Sequence, residues 1–247
     1  IRTLEGVEHI RLRPGMYIGT LGNGDDPADG IYVLLKEVVD NSIDEFAMGF
    51  GKEVRIEIDE KKVSIRDFGR GIPLDSVIKV VSKLNTGAKF DDTVFKKSVG
   101  LNGVGTKAVN ALSTLFEVRS YRDGKVRSAI FEKGKLVDDK TEDTTEENGT
   151  FIYFKPDSSL FLNYKFQDEF VNNMLRNYTY LNLGLKIILN GQEYVSKNGL
   201  LDLVNDNLSE EPLYPPIYLS GEDIDVVITH GTGYGESYYS FVNGQYT

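Results

Sequence analysis

Apolar positions between residues 31 and 48 recur every three to four residues. Wound at about 100° per residue, Ile31, Leu35, Val38, Val39, Ile43 and Phe46 gather on one side, which predicts an amphipathic helix. The period then changes to two. "EVRIEI" (53–58) and "VSIRD" (63–67) alternate apolar with polar and predict a hairpin turning through Asp59 to Lys62. "LDSVIKVVSKL" (74–84) returns to helical spacing. A stretch from Thr86 to Gly105 holds four glycines and predicts a lid-like loop, followed by a helix from Thr106 to Leu115. "FEVRSY", "VRSAIFE" and "TFIYFK" predict three strands, the first two joined through Arg122 to Lys125, and the acidic "DDKTEDTTEENG" between the last two predicts a solvated turn. "QDEFVNNMLRNYTYL" predicts a helix, and Asn190-Gly191 inside "LKIILNGQEYV" predicts a hairpin. Pro212, Pro215 and Pro216 then punctuate the chain, and "DIDVVITH" and "SYYSFVNGQYT" predict two more strands past a boundary near Ser220. Helices and strands mix without strict alternation, so the expected class is α+β.

Composition narrows the chemistry. With 247 residues, 40% of them hydrophobic, the chain can bury a full core as one large domain or one domain and part of a second. No apolar run of about 18 residues and no signal-like segment is present, so no membrane partner is expected. The first residue is Ile1, not Met, so a piece of a longer protein is expected. The absence of cysteine excludes disulfides and thiol chemistry and fits a reducing, cytoplasmic setting. Two histidines far apart, His9 and His230, make a zinc site improbable. A formal net charge of -10 argues against broad contact with DNA phosphates by this chain.

Three short stretches carry candidate chemistry. With Glu37 at zero on the helical wheel, Asn41 falls near 40° and Asp44 near -20°, at about 100° per residue, opposite the apolar stripe. That face is either a solvated acidic surface or a carboxylate base with a neutral Mg²⁺ ligand one turn on. In "VSIRDFGRGIP", alternation places Asp67 on the same face as Val63 and Ile65. A carboxylate there either caps backbone amides after the strand or accepts from a ligand amino group such as adenine N6, with Gly69 and Gly71 allowing close approach. "VGLNGVGTK" (99–107) looks like a P-loop with its last two letters exchanged, because Thr106 precedes Lys107. Its glycines also fail the dinucleotide fingerprint. It is either a phosphate cradle of another kind or a Gly-rich cap on the helix that follows.

Taken in order, "RPGMYIG", "EVVDNSIDE", "DFGRGIP", "GLNGVGTKAVNALS" and the "NGT" of residues 148–150 resemble the ATPase domain of the B subunits of bacterial type IIA topoisomerases, gyrase and topoisomerase IV. The resemblance extends over essentially the whole chain. A wider superfamily that includes a heat-shock chaperone, mismatch-repair ATPases and histidine kinases is similar only in the looser motifs. The implied fold is a two-layer α+β sandwich of the Bergerat or GHKL type, a mixed, largely antiparallel sheet with helices on one face. The implied domains are an ATP-binding unit over residues 1–219 and the opening of a transducer domain over residues 220–247.

The same resemblance implies the site. Glu37 would activate the attacking water, Asn41 would ligate Mg²⁺, and Asp67 would hydrogen-bond the adenine amino group. Gly71, Ile72 and Thr150 would complete the base pocket, with Arg70 and Glu45 paired at its mouth and Asp44 nearby. Lys89 and the backbone of Gly100, Leu101, Asn102, Gly103, Val104, Gly105 and Thr106 would surround the triphosphate. Several positions depart from the family pattern: Val33 stands where some members carry a histidine one turn before the base, and Asn102 where many have histidine. An arginine that gyrases use for aminocoumarin drugs aligns with Ser128, beside Arg127, so drug affinity carries over less surely than ATP binding. The implied partners are ATP, a second copy of the subunit, and the A subunit and DNA through regions outside this chain. A dimerising arm before Ile1 and a phosphate-binding lysine beyond Thr247 are also implied, so residues 1–247 are expected to bind ATP and hydrolyse it weakly. "DGIYVLLKEVVDNSIDEF" and "VGLNGVGTKAVNALS" incline the resemblance toward topoisomerase IV, with gyrase as the alternative and a nucleotide-binding module or histidine-kinase-type domain further off.

Overall fold

In a computed structural model, residues 6–84, 103–242 and 244–247 are described. Helices α1 (Gly6–Leu12) and α2 (Gly15–Ile18) lead into the long α3 (Gly30–Ala47). Strands β1 (Glu53–Ile58) and β2 (Val63–Asp67) form the expected hairpin, with Val54 opposite Asp67 and Ile58 opposite Val63. After a single 3₁₀ turn at Leu74–Ser76 comes α4 (Val77–Ser82), and after the undescribed segment comes α5 (Gly105–Ala111). Four strands follow: β3 (Ser113–Arg122), β4 (Lys125–Glu132), β5 (Lys135–Asp143) and β6 (Gly149–Pro156). Then α6 (Asp168–Leu181) precedes β7 (Lys186–Leu189), β8 (Gln192–Tyr194) and α7 (Leu200–Asn207). The chain closes with two small ribbons, β9 (Ile217–Ser220) with β10 (Asp225–Ile228), and β11 (Phe241–Val242) with β12 (Gln245–Tyr246).

The main sheet has eight strands in the order β5-β4-β3-β6-β2-β1-β7-β8. All of its pairings are antiparallel except that of β1 with β7. Period-two alternation gives the sheet a buried face: Val63, Ile65, Phe116, Val118, Ile152 and Phe154 point inward against the apolar stripe of α3, where Ile31, Leu35, Val38, Val39 and Ile43 are buried. Asn190 and Gly191 both take positive φ, as a two-residue hairpin turn requires, and the Asn190 side chain also bonds both backbone groups of Ile58.

Two expectations fail. The helix predicted for 106–115 stops at Ala111, because Leu112 and Phe116 are both fully buried and the Ser113 hydroxyl bonds the carbonyl of Val109, closing the helix so that the β-branched and aromatic run can enter the sheet. The acidic stretch predicted as a turn supplies most of β5, an edge strand with every residue exposed. Charged partners across the ladder hold it: Arg127 binds Asp139 at 2.7 Å and Lys125 binds Asp143 at 3.1 Å. A polar edge of this kind also discourages pairing with other sheets.

Candidate active site

The polar side of α3 lines a cavity, with Glu37 half-buried and Asn41 exposed within it. Asp40 and Asp44 are buried, and together with Glu37 and Asn41 they face a cavity of about 910 Å³ bounded by the end of β2, the start of α5 and residue 150 at the start of β6. That volume falls in the range of small-molecule sites, about 300–1,000 Å³. Glu37, Asn41, Asp44, Asp67, Arg70, Gly71, Ile72, Gly103, Val104, Gly105, Thr106 and Thr150 all line it. Lys89, Gly100, Leu101 and Asn102 lie outside the described residues, and Asn102's departure from the family pattern with them.

At one end of the cavity, Asp67 closes β2. The β2–β6 ladder ends with Arg66 opposite Phe151, and one residue on the Asp67 side chain, not its main chain, takes the Thr150 N–H at 3.1 Å. Gly69 N–H donates to the same oxygen, Oδ1, at 2.9 Å. Thus Asp67 caps backbone amides, one of the two roles its place in the sequence allows. No hydrogen bond among the described residues ends on Oδ2. Burial in the cavity wall pushes the carboxyl up to about 6, against the pull of the two amides and of the Arg66 charge, while Glu45 adds to the rise.

At the mouth, Glu45 receives Arg70 twice through its side chain, at 2.9 and 3.1 Å, and once through its backbone N–H at 2.9 Å. The guanidinium lies 4.6 Å from the centre of the Phe50 ring. This ion pair matches the one expected from sequence. At the other end, the Glu37 carboxylate packs so closely on α5 that a Cβ on Gly105 would lie 1.8 Å from Oε2. Any larger residue at 105 would require the Glu37 side chain to move. Asn41 donates to the Glu37 carbonyl at 2.8 Å and to the Thr106 hydroxyl at 3.0 Å, which orients its amide.

Several lining residues are not evident from sequence. Arg122, which the pattern places in a hairpin connection, ends β3 and donates to the Gly71 carbonyl at 3.1 Å. Lys107, out of order for a P-loop because it follows Thr106, is nonetheless buried, lines the cavity and donates to the Gly103 carbonyl. Asp40 lies about 60° from Glu37 on the helical wheel, so spacing alone could have found it. It receives Lys36 at 2.7 Å and the hydroxyl of Tyr178 from α6. Gln245 of the last ribbon reaches the same carboxylate at 3.4 Å. Ser128 and Arg127 do not line the cavity: Ser128 is buried in β4, and Arg127 turns to Asp139 and the Leu74 carbonyl.

Comparison with known proteins agrees with this geometry. The chain is 52% identical over 248 residues to the B subunit of DNA topoisomerase 4 from Borreliella burgdorferi, covering 100% of this chain and 41% of that one. It is 36% identical over 261 residues to the B subunit of DNA gyrase from Enterococcus faecalis, covering 97% of this chain and 40% of that one. It therefore spans about two fifths of the length of these curated relatives. The crystal structure of the 43K ATPase domain of Thermus thermophilus gyrase B in complex with an aminocoumarin superposes with a TM-score of 0.74 at 28% identity, over 92% of this chain and 62% of that one. Residues 26–159 match the family described as histidine kinase-, DNA gyrase B-, and HSP90-like ATPase, and the chain belongs to that family.

Proposed function

We propose that this chain is the ATP-binding and ATP-hydrolysing domain of a type IIA DNA topoisomerase B subunit, topoisomerase IV in preference to gyrase. The observation that carries the proposal is Asp67: a buried carboxylate that lines the cavity, with both of its backbone donors on one oxygen and no hydrogen bond among the described residues on the other. Adenine presents an N6 amino donor to such an acceptor, whereas guanine presents an O6 acceptor and is rejected. The greater similarity to the topoisomerase 4 relative than to the gyrase relative supports the preference.

In this reading Gly71, Ile72 and Thr150 enclose the base, and Asp44, Arg70 and Glu45 form the rim. The triphosphate runs along α3 toward α5, where the backbone of residues 103–106 meets it, with Lys89 and residues 100–102 of the preceding segment completing the cradle. Glu37 takes the proton of the attacking water at the far end. Its carboxylate lies against Gly105 at the start of α5, beside the proposed cradle. Asn41 suits Mg²⁺, which prefers few protein ligands and oxygen donors; its Nδ2 donates to the Glu37 carbonyl and the Thr106 hydroxyl, and its amide oxygen would be the ligand atom. When bound, the ion would neutralise charge on the phosphate oxygens.

Residues 1–219 would form the nucleotide-binding unit and residues 220–247 the beginning of the next domain. In the whole subunit, ATP binding would bring two copies together around a DNA duplex. Hydrolysis would then reset the gate, with the A subunit performing the cleavage. A cytoplasmic, chromosome-associated location goes with that activity. The test is a strand-passage assay of the full-length subunit with its A partner. ATP-dependent decatenation without supercoiling is expected; supercoiling would assign the subunit to gyrase, and no strand passage would overturn the topoisomerase reading.

A further inference from the structure

Arg66 stands beside Asp67 in β2, and strand alternation turns it to the opposite face of the sheet, away from the cavity. It does not line the ligand space, yet it is committed to the backbone that shapes it. The guanidinium lies between two rings, 4.7 Å from the centre of Phe68 and 4.3 Å from that of Tyr121. From there Nη2 donates to the Glu147 carbonyl at 2.5 Å and Nη1 donates to the Asp67 carbonyl. One planar group therefore ties the end of β2 to the turn that leads into β6. The turn presses close: a Cβ on Gly149, which takes a φ of +140°, would lie 2.1 Å from the Asp67 oxygen and 2.3 Å from Arg66 Nη1. The bond that follows this turn is the one from Thr150 N–H to Asp67 Oδ1.

We propose that Arg66 is a positioning residue for the adenine end of the site, fixing the separation of Asp67 from Thr150 and so the direction of Oδ2 without touching the nucleotide. The inference rests on the nucleotide reading above for its functional consequence, and on the ligand-free geometry for its cause. Arginine is required because a fork of donors can hold two carbonyls while its plane stacks on two rings; a lysine ammonium can do one of these at a time. Neighbouring Arg119 supplies the control. It lies on the same outer face, 5.1 Å from the centre of the Phe151 ring and paired with Glu117 at 2.5 Å, and it bonds neither Asp67 nor the turn.

The experiment compares Arg66→Gln, Arg66→Lys and Arg119→Gln with the unsubstituted chain, well below their melting temperatures. Hydrogen exchange at the Thr150 amide, measured without nucleotide, should accelerate in both Arg66 variants and not in Arg119→Gln. Affinity for a non-hydrolysable ATP analogue should fall about tenfold in both Arg66 variants, the equivalent of one good hydrogen bond. The pH dependence of that affinity separates charge from geometry. The charged groups around Asp67 are Arg66 behind it on β2 and Glu45 on α3, whose charges act on it, together with Asp44 on α3, Arg70 after β2 and Arg122 on β3, which line the same cavity. Arg66→Gln removes a cation and should move the acid-side loss of binding to higher pH, whereas Arg66→Lys keeps the charge and should not. Unchanged Thr150 exchange in both Arg66 variants would overturn the inference whatever the chain binds. Failure of the unsubstituted chain to bind the analogue would instead overturn the function proposed above.

Discussion

Two buried carboxylates, Asp157 and Asp67, show how the same residue type serves opposite ends. Asp157, just after β6, is 2% exposed and has partners on both oxygens: Arg11 at 2.6 Å and Lys133 at 3.4 Å on Oδ2, and the backbone and hydroxyl of Ser159 at 3.0 and 2.8 Å on Oδ1. Burial alone would raise its carboxyl, but the Arg11 charge and the Ser159 bonds outweigh burial and hold it well below the usual carboxylate range. Arg11 also binds the Ala111 carbonyl at 2.7 Å, so the pair ties α1 to the end of α5. Asp67, 7% exposed, has backbone donors on Oδ1 alone, and no cation in contact with its carboxylate among the described residues, and it is pushed up to about 6. Burial does not distinguish a structural carboxylate from a binding one. The distribution of donors does: Asp157 has partners on both oxygens within the chain, whereas the described partners of Asp67 all fall on Oδ1, and the function proposed above gives its other oxygen to a ligand.

The largest effect should come from a third carboxylate, Glu37, which the proposed function assigns to the reaction and not to nucleotide binding. Glu37→Ala in the full-length subunit should lower ATP turnover about 10²- to 10⁴-fold while leaving binding of a non-hydrolysable analogue in place. Steady-state turnover and a binding titration check both halves, and wild-type turnover would remove Glu37 from the mechanism.

Next in size is Asp157→Ala, which leaves the Arg11 guanidinium without its buried partner. It should cost about 3–5 kcal/mol of stability, read by denaturant unfolding, with nucleotide affinity of the folded fraction unchanged. A change below about 1 kcal/mol, typical of exposed pairs, would place Asp157 among them and weaken the contrast.

Asp67→Asn should act in the other direction on stability. A folded-state carboxyl raised from 3.8 to about 6 means that its charge disfavours folding at neutral pH by roughly 3 kcal/mol, at about 1.4 kcal/mol per unit. An amide escapes that penalty and still accepts from Gly69 and Thr150. At pH 7.5 the variant should therefore melt at or above the unsubstituted chain. A clear fall in melting temperature would show that Asp67 holds the fold as Asp157 does.

The smallest effect is in the pH profile, and the two residues again differ in sign. Between about pH 6 and pH 4 folded Asp67 takes up a proton that the unfolded chain does not, so its contribution to stability improves as pH falls through that window. Asp157, depressed in the folded state, stabilises above about pH 4 and loses that contribution only as pH falls further. From pH 8 down to pH 3 the Asp67→Asn curve should converge on the unsubstituted chain from the more stable side, whereas the Asp157→Ala curve should stay on the less stable side and begin to approach it only at the acid end.

What the sequence could reveal follows the same division between local and cross-chain causes. Alternation through "VSIRD" is enough to bury Asp67 with Val63 and Ile65, and the helical wheel is enough to group Glu37, Asn41 and Asp44. Each of those inferences needs one element only. One of the two partners of Asp67, Thr150, comes from more than eighty positions away, and the arginines that hold its surroundings, Arg66 and Arg122, act through carbonyls that spacing does not reveal. Local signals also mislead where tertiary pairing decides: "DDKTED" has the composition of a loop and becomes β5, where Lys125 of β4 stands opposite Asp143 and Arg127 reaches diagonally to Asp139. "STL" continues a helical pattern and joins the strand that begins with it, because the neighbouring Phe116 faces Phe131 and Phe154 in the sheet.

The central claim is that the open oxygen of Asp67 selects adenine, and calorimetric titration of one residue tests it most directly. Non-hydrolysable ATP and GTP analogues would be titrated at pH 7.5 into the unsubstituted chain and into Asp67→Asn. The ATP analogue should bind the unsubstituted chain well ahead of the GTP analogue, and Asp67→Asn should weaken ATP-analogue binding by about 1–3 kcal/mol and narrow the preference. Equal affinity of both proteins for the ATP analogue would contradict the account.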